Sequence, residues 1–580
     1  MRKIIFHFSF FIAFSFSVLQ FFSSSASPTY AADFTTDYQV TYDVSLNGTA
    51  KITQEITLIN NTANLYPADF SLTVKGGQIE NVAASDELGQ MKAEISAIKS
   101  ESVIKVSFNK HAVGQGSKIA WTLSYDVPDF AVRRGRIWEL TVPKIAPASD
   151  IGSYKITLKV PKSFGPEHFV SPQPSATGGS TEHTDSHWIY NFNCLPPATY
   201  HQPVSASFGD FQLFSFKLLY HLQNPESFAA TTEIALLPDV SPYQRIYYQS
   251  LEPKPQRIYQ DGDGNYLAEY KLAAKERLDI TFAGMARVVG NVVDVVDVVD
   301  VGKQVPQLPQ ATPPIRRGRA TTRPPQAAVT TFEPYLLPAK YWEVNAEEIR
   351  NLLEEIKKAD SAYALNPNPY ILSKAIYDYV TTNLKYDPTR ISQEAERLGA
   401  VKSLGRKDSA VCMEFTDLLV TLMRAAGIPA REIDGYAYTS EDEKKAVTSD
   451  TLHSWVQIHP VRKEDEISNG VKFPDYGWIN IDPTWGATTG IDYFSKLDTN
   501  HLAFVIKGLD SEKPYPAGSY KIEGSEEGDV KVTFAENFAH RIGGFAGNAV
   551  PFRLWWENWE RENQKIDWLT AFFRFLARVF

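Results

Sequence analysis

Ser409-Ala410-Val411-Cys412-Met413-Glu414-Phe415-Thr416-Asp417-Leu418-Leu419-Val420-Thr421-Leu422-Met423-Arg424-Ala425-Ala426-Gly427-Ile428-Pro429 decides how the back half of this chain is read. Phe415, Leu418, Leu419, Leu422, Met423 and Ala426 recur at helical spacing and form one apolar stripe. Gly427 ends that helix and Pro429 prevents its continuation. Asp408 or Ser409 is expected to cap the other end. Cys412 therefore falls in or just before the first turn of a buried amphipathic helix. Free backbone N–H groups and the helix dipole stabilise a thiolate there, the reactive form of a cysteine. Taken alone, a cysteine at a helix start is as readily a small core hydrophobe.

Two segments downstream change that balance. After a strand expected over Glu432–Thr439 comes Leu452-His453-Ser454-Trp455-Val456-Gln457-Ile458-His459-Pro460. Period-two alternation puts His453, Trp455, Gln457 and His459 on one face. In Gly477-Trp478-Ile479-Asn480-Ile481-Asp482-Pro483 the same rule puts Trp478, Asn480 and Asp482 together. A His at one strand's start meets an Asp at the next strand's end if the two are antiparallel neighbours, the arrangement a base and its orienting carboxylate need. His459 shares the face of His453 but lies about 20 Å further along a strand, so only one of the two can reach the cysteine.

These three blocks resemble the core of the transglutaminase-like superfamily. The resemblance spans roughly residues 335–510 and includes the lead-in Ile376-Tyr377-Asp378-Tyr379-Val380 with Tyr386. It implies a papain-like α+β fold in which Cys412 is the nucleophile, His453 accepts and returns its proton, and Asp482 holds the imidazole. It also implies acyl transfer at a carboxamide or peptide bond through a thioester, resolved by water or an amine, with no cofactor and no metal. The Cys412 backbone N–H is one expected oxyanion donor. A side-chain donor is expected upstream, where Ser403-Leu404-Gly405-Arg406-Lys407 offers neither Gln nor Trp. Two positions depart from the family: Ala410 where Gly is common, and Ser454 where Ala is usual. A non-catalytic surface module with a vestigial triad is the rival reading, and the intact Cys, His and Asp argue against it.

Outward from this core, Val344–Ala359 and Tyr370–Leu384 carry helical periodicity. Residues 288–330 change character, with the Val-Val-Asp tandem repeat at Val292–Asp300 followed by a Pro-rich basic stretch containing Arg316-Arg317-Gly318-Arg319. This reads as a linker. Before it the chain is strand-like, as in Tyr38–Val44, the Asn47-Gly48 turn and Ala50–Leu58. The expected organisation is a signal peptide or anchor at 1–26, a β-sandwich-like domain at 33–215 and a second β-rich domain at 216–287. The linker at 288–330 then leads to a catalytic domain at 331–510, a β-rich extension at 511–550 and an aromatic amphipathic tail at 551–580. Asp261-Gly262-Asp263-Gly264-Asn265 has the start of a calcium loop, but Leu272 stands where a bidentate Glu is needed, so a turn is expected.

Met1-Arg2-Lys3 and the apolar run to Phe22, followed by Ser24 and Ala26, read as an export signal with an uncleaved anchor as the competitor. Either places the chain outside the cytoplasm, secreted or on the outer face of the membrane. Only two cysteines are present, Cys194 and Cys412, which is no disulfide framework, and Cys194 is expected to be a buried small hydrophobe. A net charge of −10 over 580 residues gives no nucleic-acid footprint. The expected partner is a protein or peptide substrate of the cell envelope. Membrane-surface contact is expected through the N-terminal segment or through the tail, where Leu569, Phe572, Phe573 and Leu576 share a helical face.

Overall fold

The computed structural model describes residues 10–12, 32–75, 78–98, 101–143, 150–194, 203–290, 332–365, 367–393, 396–438, 452–460, 478–494, 497–520, 529–535 and 550–551. The rest of the expected signal or anchor segment, nearly all of the expected linker and of the expected tail, and the side chain of Cys194 lie outside the described residues. Among the described residues no helix is long and apolar enough to cross a membrane. The chain forms two compact units, one centred on residues up to 212 and one on residues from 213 onward.

The first unit is all β. Phe34–Val44, Ala50–Asn60 and Lys118–Val127 pair antiparallel in sequence-alternating register, and Ile151–Pro161 joins Phe34–Val44 in parallel. Alternation in Phe34–Val44 buries Phe34, Tyr38, Val40, Tyr42 and Val44 on one face. A smaller sheet built from Glu167–Ser171, Val204–Phe208, Ile137–Val142 and Ala131–Arg134 lays Leu140, Val142, Val170 and Phe208 into the same core. This is the expected sandwich-like arrangement.

The second unit combines another β sandwich with the helical core. The boundary expected between 215 and 216 falls inside the strand Gln212–Gln223, which runs unbroken through it. That strand's sheet also recruits Val530–Phe534 from the C-terminal extension, pairing Phe214 with Phe534. Alternating apolar residues locate strands well, but not the distant segment that completes their edge. The sandwich core continues into the sheet that carries His453, because Leu502 and Phe504 sit among Phe216, Tyr248 and Phe282.

This sheet has four antiparallel strands in the order Ile479–Ile481, His453–Ile458, Ala430–Ala437, His501–Lys507. The helix Cys412–Ala425 packs across its middle two strands, backed by Glu347–Ala359 and Pro369–Asn383. Phe415, Leu418, Leu419, Leu422 and Met423 are fully buried, as the apolar stripe predicts. The helix ends in a Schellman motif: Ile428 N–H bonds the Met423 carbonyl, Gly427 N–H bonds that of Arg424, and Gly427 takes φ +77°.

Candidate active site

Cys412 is the first residue of its helix, half-exposed in a surround that is otherwise buried. Neither Asp408 nor Ser409 caps it. The preceding segment is instead engaged in pairing with Lys385–Asp387: Ala410 N–H donates to the Lys385 carbonyl and Asp387 N–H to that of Ala410. This draws Ser409 Oγ to Asp387 Oδ2 (3.1 Å) and Asp408 to Lys385. Val411 takes the cap position, and the fully buried Glu414 accepts its N–H at 2.9 Å. Arg390 donates to both Glu414 oxygens, at 2.8 and 3.3 Å, which holds that carboxylate against the helix start.

His453 opens the adjacent strand and Asp482 follows the next one. With Val456 opposite Ile481, the antiparallel register carries both to one end of the sheet. His453 Nε2 lies 2.7 Å from Asp482 Oδ2. The Cys412 thiol is near enough to the ring to favour its proton, and Nδ1, the nitrogen Asp482 does not use, has no hydrogen bond of regular geometry. Burial disfavours the charged imidazole, but Asp482 and the thiol outweigh it and hold His453 up at about 9. Burial would raise Asp482, yet His453 and His501 keep it well below the usual carboxylate range. Its other oxygen accepts Thr484 N–H (2.8 Å) and Trp485 N–H (3.0 Å). Tyr377 donates to the Asp482 carbonyl at 3.1 Å, and Gly486 makes room: a Cβ there would stand 2.0 Å from the Tyr377 hydroxyl.

The geometry thus brings the three expected residues together and leaves His459 apart. Its ring packs on Phe332 (centroids 4.2 Å apart) and beside Trp478. Ser454 is accounted for by its 2.6 Å hydrogen bond to the buried Asp434, which Ala could not make. The Asp261–Asn265 segment is a turn, with Asp261 Oδ1 accepting the N–H groups of Asp263 (2.9 Å) and Asn265 (2.8 Å).

Two residues at this site have roles that the sequence reading did not assign. Tyr386 bridges Ala410 two residues before the cysteine, and its hydroxyl is buried with no hydrogen-bond partner among the described residues. Burial first, then Cys412 and Glu414, push that hydroxyl well above its ordinary pKa, so it stays a donor. His501 begins the edge strand, with Nε2 3.1 Å from Asp482 Oδ2 and Nδ1 2.9 Å from Asp498 Oδ1. Nε2 of His453, Oδ2 of Asp482 and Nε2 of His501 lie within 4.8 Å of one another, a set a cation could in principle use. The 2.7 Å approach of His453 to Asp482 is a hydrogen-bond distance, shorter than the roughly 3.3 Å between ligands on a tetrahedral zinc.

Residues 357–483 match the model of the Transglutaminase-like superfamily, so this stretch is a transglutaminase-like core. The chain is similar to uncharacterized protein YebA of Bacillus subtilis, 30% identical over 133 residues, which is 21% of this chain and 16% of YebA. It is also similar to uncharacterized protein ML0607 of Mycobacterium leprae, 24% identical over 176 residues, covering 30% of this chain and 52% of that protein. The chain therefore spans about half or less of the length of these curated relatives. Among solved structures it is similar to a proposed cysteine protease from Cytophaga hutchinsonii at 16% identity and TM-score 0.30, covering 56% of this chain and 98% of that one.

Proposed function

We propose that this protein is an extracytoplasmic cysteine acyltransferase or hydrolase acting on carboxamide or peptide bonds. The observation that carries the reading is the His453 ring, gripped by Asp482 at one nitrogen while the Cys412 thiol at a helix N-terminus lies beside it. In the proposed reaction His453 takes the thiol proton and the Cys412 sulfur attacks the carbonyl carbon. The tetrahedral oxyanion is met by the Cys412 backbone N–H and the Tyr386 hydroxyl. As the C–N bond breaks, His453 passes its proton to the leaving ammonia or amine and a thioester remains. Water or a second amine then attacks the thioester, its proton goes to His453, and the C–S bond breaks.

Support for the location is the sequence of Met1–Ala26 alone. A protein or peptide of the cell envelope is the substrate that suits that location. The test is to incubate the full chain with a glutamine-containing peptide library, with and without a fluorescent primary amine, and to follow ammonia release and label incorporation. Turnover lost in Cys412→Ala supports the reading, and turnover retained there refutes it. Release without incorporation identifies a hydrolase.

A further inference from the structure

His501 is fully buried and performs none of the steps above. Its two ring nitrogens each face a carboxylate oxygen, Asp498 Oδ1 at 2.9 Å and Asp482 Oδ2 at 3.1 Å. A neutral imidazole has one N–H and one lone pair, so one of these contacts would set a lone pair against an acceptor. Protonating a carboxyl instead is disfavoured by what surrounds each. Asp482 already receives two backbone N–H groups on Oδ1 and His453 on Oδ2. Asp498 receives Asn500 N–H on Oδ1 (2.9 Å) and the Tyr493 hydroxyl on Oδ2 (3.0 Å). Both are held as carboxylates, which leaves the ring to carry both protons.

We propose that His501 is a positioning residue, a buried imidazolium that bridges Asp498 and Asp482 and thereby fixes the carboxylate that orients His453. It builds on the proposed triad, which it extends to the chain Cys412, His453, Asp482, His501, Asp498. Burial opposes the charge on His501, but Asp498 and Asp482 outweigh it and hold the ring at about 9, in keeping with this geometry. The titratable groups around the ring are Asp482, Asp498, His453 and, through Asp498, Tyr493, with Cys412 beyond His453. The aromatic walls, Trp455 and Trp485, are uncharged.

The bridge has a consequence for the base. The His501 and His453 ring centroids are 5.7 Å apart, so a fixed positive charge there makes His453 less basic than Asp482 alone would. A base too strongly protonated is a poor base at neutral pH, so the charge brings His453 closer to its working range.

Iodoacetate alkylation of Cys412, located by peptide mapping, reads this without knowledge of the substrate. An anionic reagent reacts faster as the thiolate forms and slower once His453 loses its proton, giving a bell in pH. Neutral iodoacetamide lacks the second limb and serves as the control. In His501→Gln the alkaline limb is expected to rise by about one pH unit, because the imidazole is then held by an uncompensated carboxylate. An unmoved alkaline limb in a variant that melts like the wild type overturns the proposal and leaves the triad standing. A wild-type protein with no bell, its Cys412 alkylating no faster than an unfolded thiol, overturns the triad and the bridge together. If His501→Gln does not fold, imidazole nitrogen shifts of histidine-labelled wild-type protein decide: both His501 nitrogens protonated at pH 7.5 support the bridge, and a neutral tautomer overturns it.

Discussion

The two units bury different things. The first hides aromatic and aliphatic side chains, among them Tyr38, Ile56, Phe70, Trp121 and Leu123, with buried amides on neutral partners: Gln54 donates to Tyr125, and Asn60 to the carbonyls of Leu65 and Ala112. Its buried acids Asp69 and Glu139 form separate single pairs, with Lys105 and Arg134. The second buries Arg397, Asp417, Glu432, Asp434 and Lys507 as one ionic network. Desolvating ions costs several kcal/mol each, so such a network persists only when every member is paired. Its members sit on the elements that carry the active site: Asp417 on the cysteine helix, Glu432 and Asp434 on the central strand, Lys507 at the far end of the strand begun by His501. Ser454, next to His453, is tied to it through Asp434. Two cations face three carboxyls. Burial pushes Glu432 up to about 8, whereas Asp434, although buried, is held at about 2 by Lys507. Apolar burial is enough to hold a sheet together; the ionic network adds a demand for one register among the three elements that must align.

The largest effect that separates the units is chemical. Cys412→Ala is expected to lower turnover at least about 10³-fold with little change in melting temperature, since Cys412 is half-exposed. Leu123→Ala in the first unit should do the opposite, costing about 2–5 kcal/mol of stability at unchanged specific activity of the folded fraction. Parallel melts and peptide turnover read both, and a stable first-unit variant with lost activity would break the contrast.

Next comes the ionic network itself. Arg397→Met strands Asp417 and Glu432 in the interior and should cost about 3–5 kcal/mol. The loss should be smaller at pH 5 than at pH 8, because the orphaned carboxyls can then take up protons. Leu123→Ala should lose the same amount at both pH values. Urea denaturation at the two pH values decides it, and a pH-independent Arg397→Met penalty would mean that the network is not what stabilises this unit.

Tyr386→Phe should reduce kcat about 10²-fold with KM little altered, the behaviour of a lost oxyanion donor. Because the hydroxyl has no hydrogen-bond partner among the described residues, its removal should not lower the melting temperature. A fall in stability without a fall in kcat would reassign Tyr386 to packing.

Much of the second unit's chemistry could be read before its structure. The helix stripe from Phe415 to Ala426, the strand faces of His453 and Asp482, and the β-rich front half all rest on local periodicity, which sequence displays directly. The helices Glu347–Ala359 and Pro369–Asn383 lie within a few residues of their expected spans. What was not legible depends on pairing between distant segments. Ser409 looks like a cap in isolation, and only the bridge between Ala410 and Tyr386 shows why Glu414 does that work instead. His501 looks like one more strand residue until the sheet order places it against Asp482. The units divide at 212/213, close to the expected 215/216, but the strand that opens the second unit is completed by a partner over three hundred residues away, with Phe214 opposite Phe534.

A smaller effect separates the units by pH. His453 and His501 are each held at about 9 in the folded chain against about 6.5 for an ordinary histidine. Their protonation therefore stabilises the fold fully below pH 6.5, and this stability is lost as pH rises through 9. Asp482 is depressed, so its contribution is present above the ordinary carboxylate range and fades only in acid. Between pH 6.5 and 9 the second unit should lose roughly 3–5 kcal/mol, the two histidines sharing one carboxylate and so not adding in full. Hydrogen exchange corrected for intrinsic rate should show the loss in peptides covering 453–458 and 501–507, and not in 38–58.

The smallest expected effect concerns a seam where a β sandwich and the catalytic sheet meet inside the second unit. His501–Lys507 is an edge strand of the catalytic sheet, and an edge leaves backbone donors and acceptors without strand partners. Two side-chain amides from the sandwich take that role. Gln244 donates to the Ala503 carbonyl (2.9 Å) and accepts its N–H (2.8 Å), and Asn265 makes the same pair with Ile506, at 2.7 Å each way. A carboxamide presents the donor and acceptor of a peptide group, so each mimics one rung of a further strand. Gln244→Leu keeps the bulk and removes one rung, leaving a buried N–H and C=O unpaired at a cost of about 1–3 kcal/mol. The cost should be local. Exchange at Ala503 should quicken, and because His501 lies two residues away, kcat should fall several-fold with it. Quickened exchange at unchanged kcat would mean that the sandwich seals the sheet edge without helping to place His501, and would confine its part in the active site to stability.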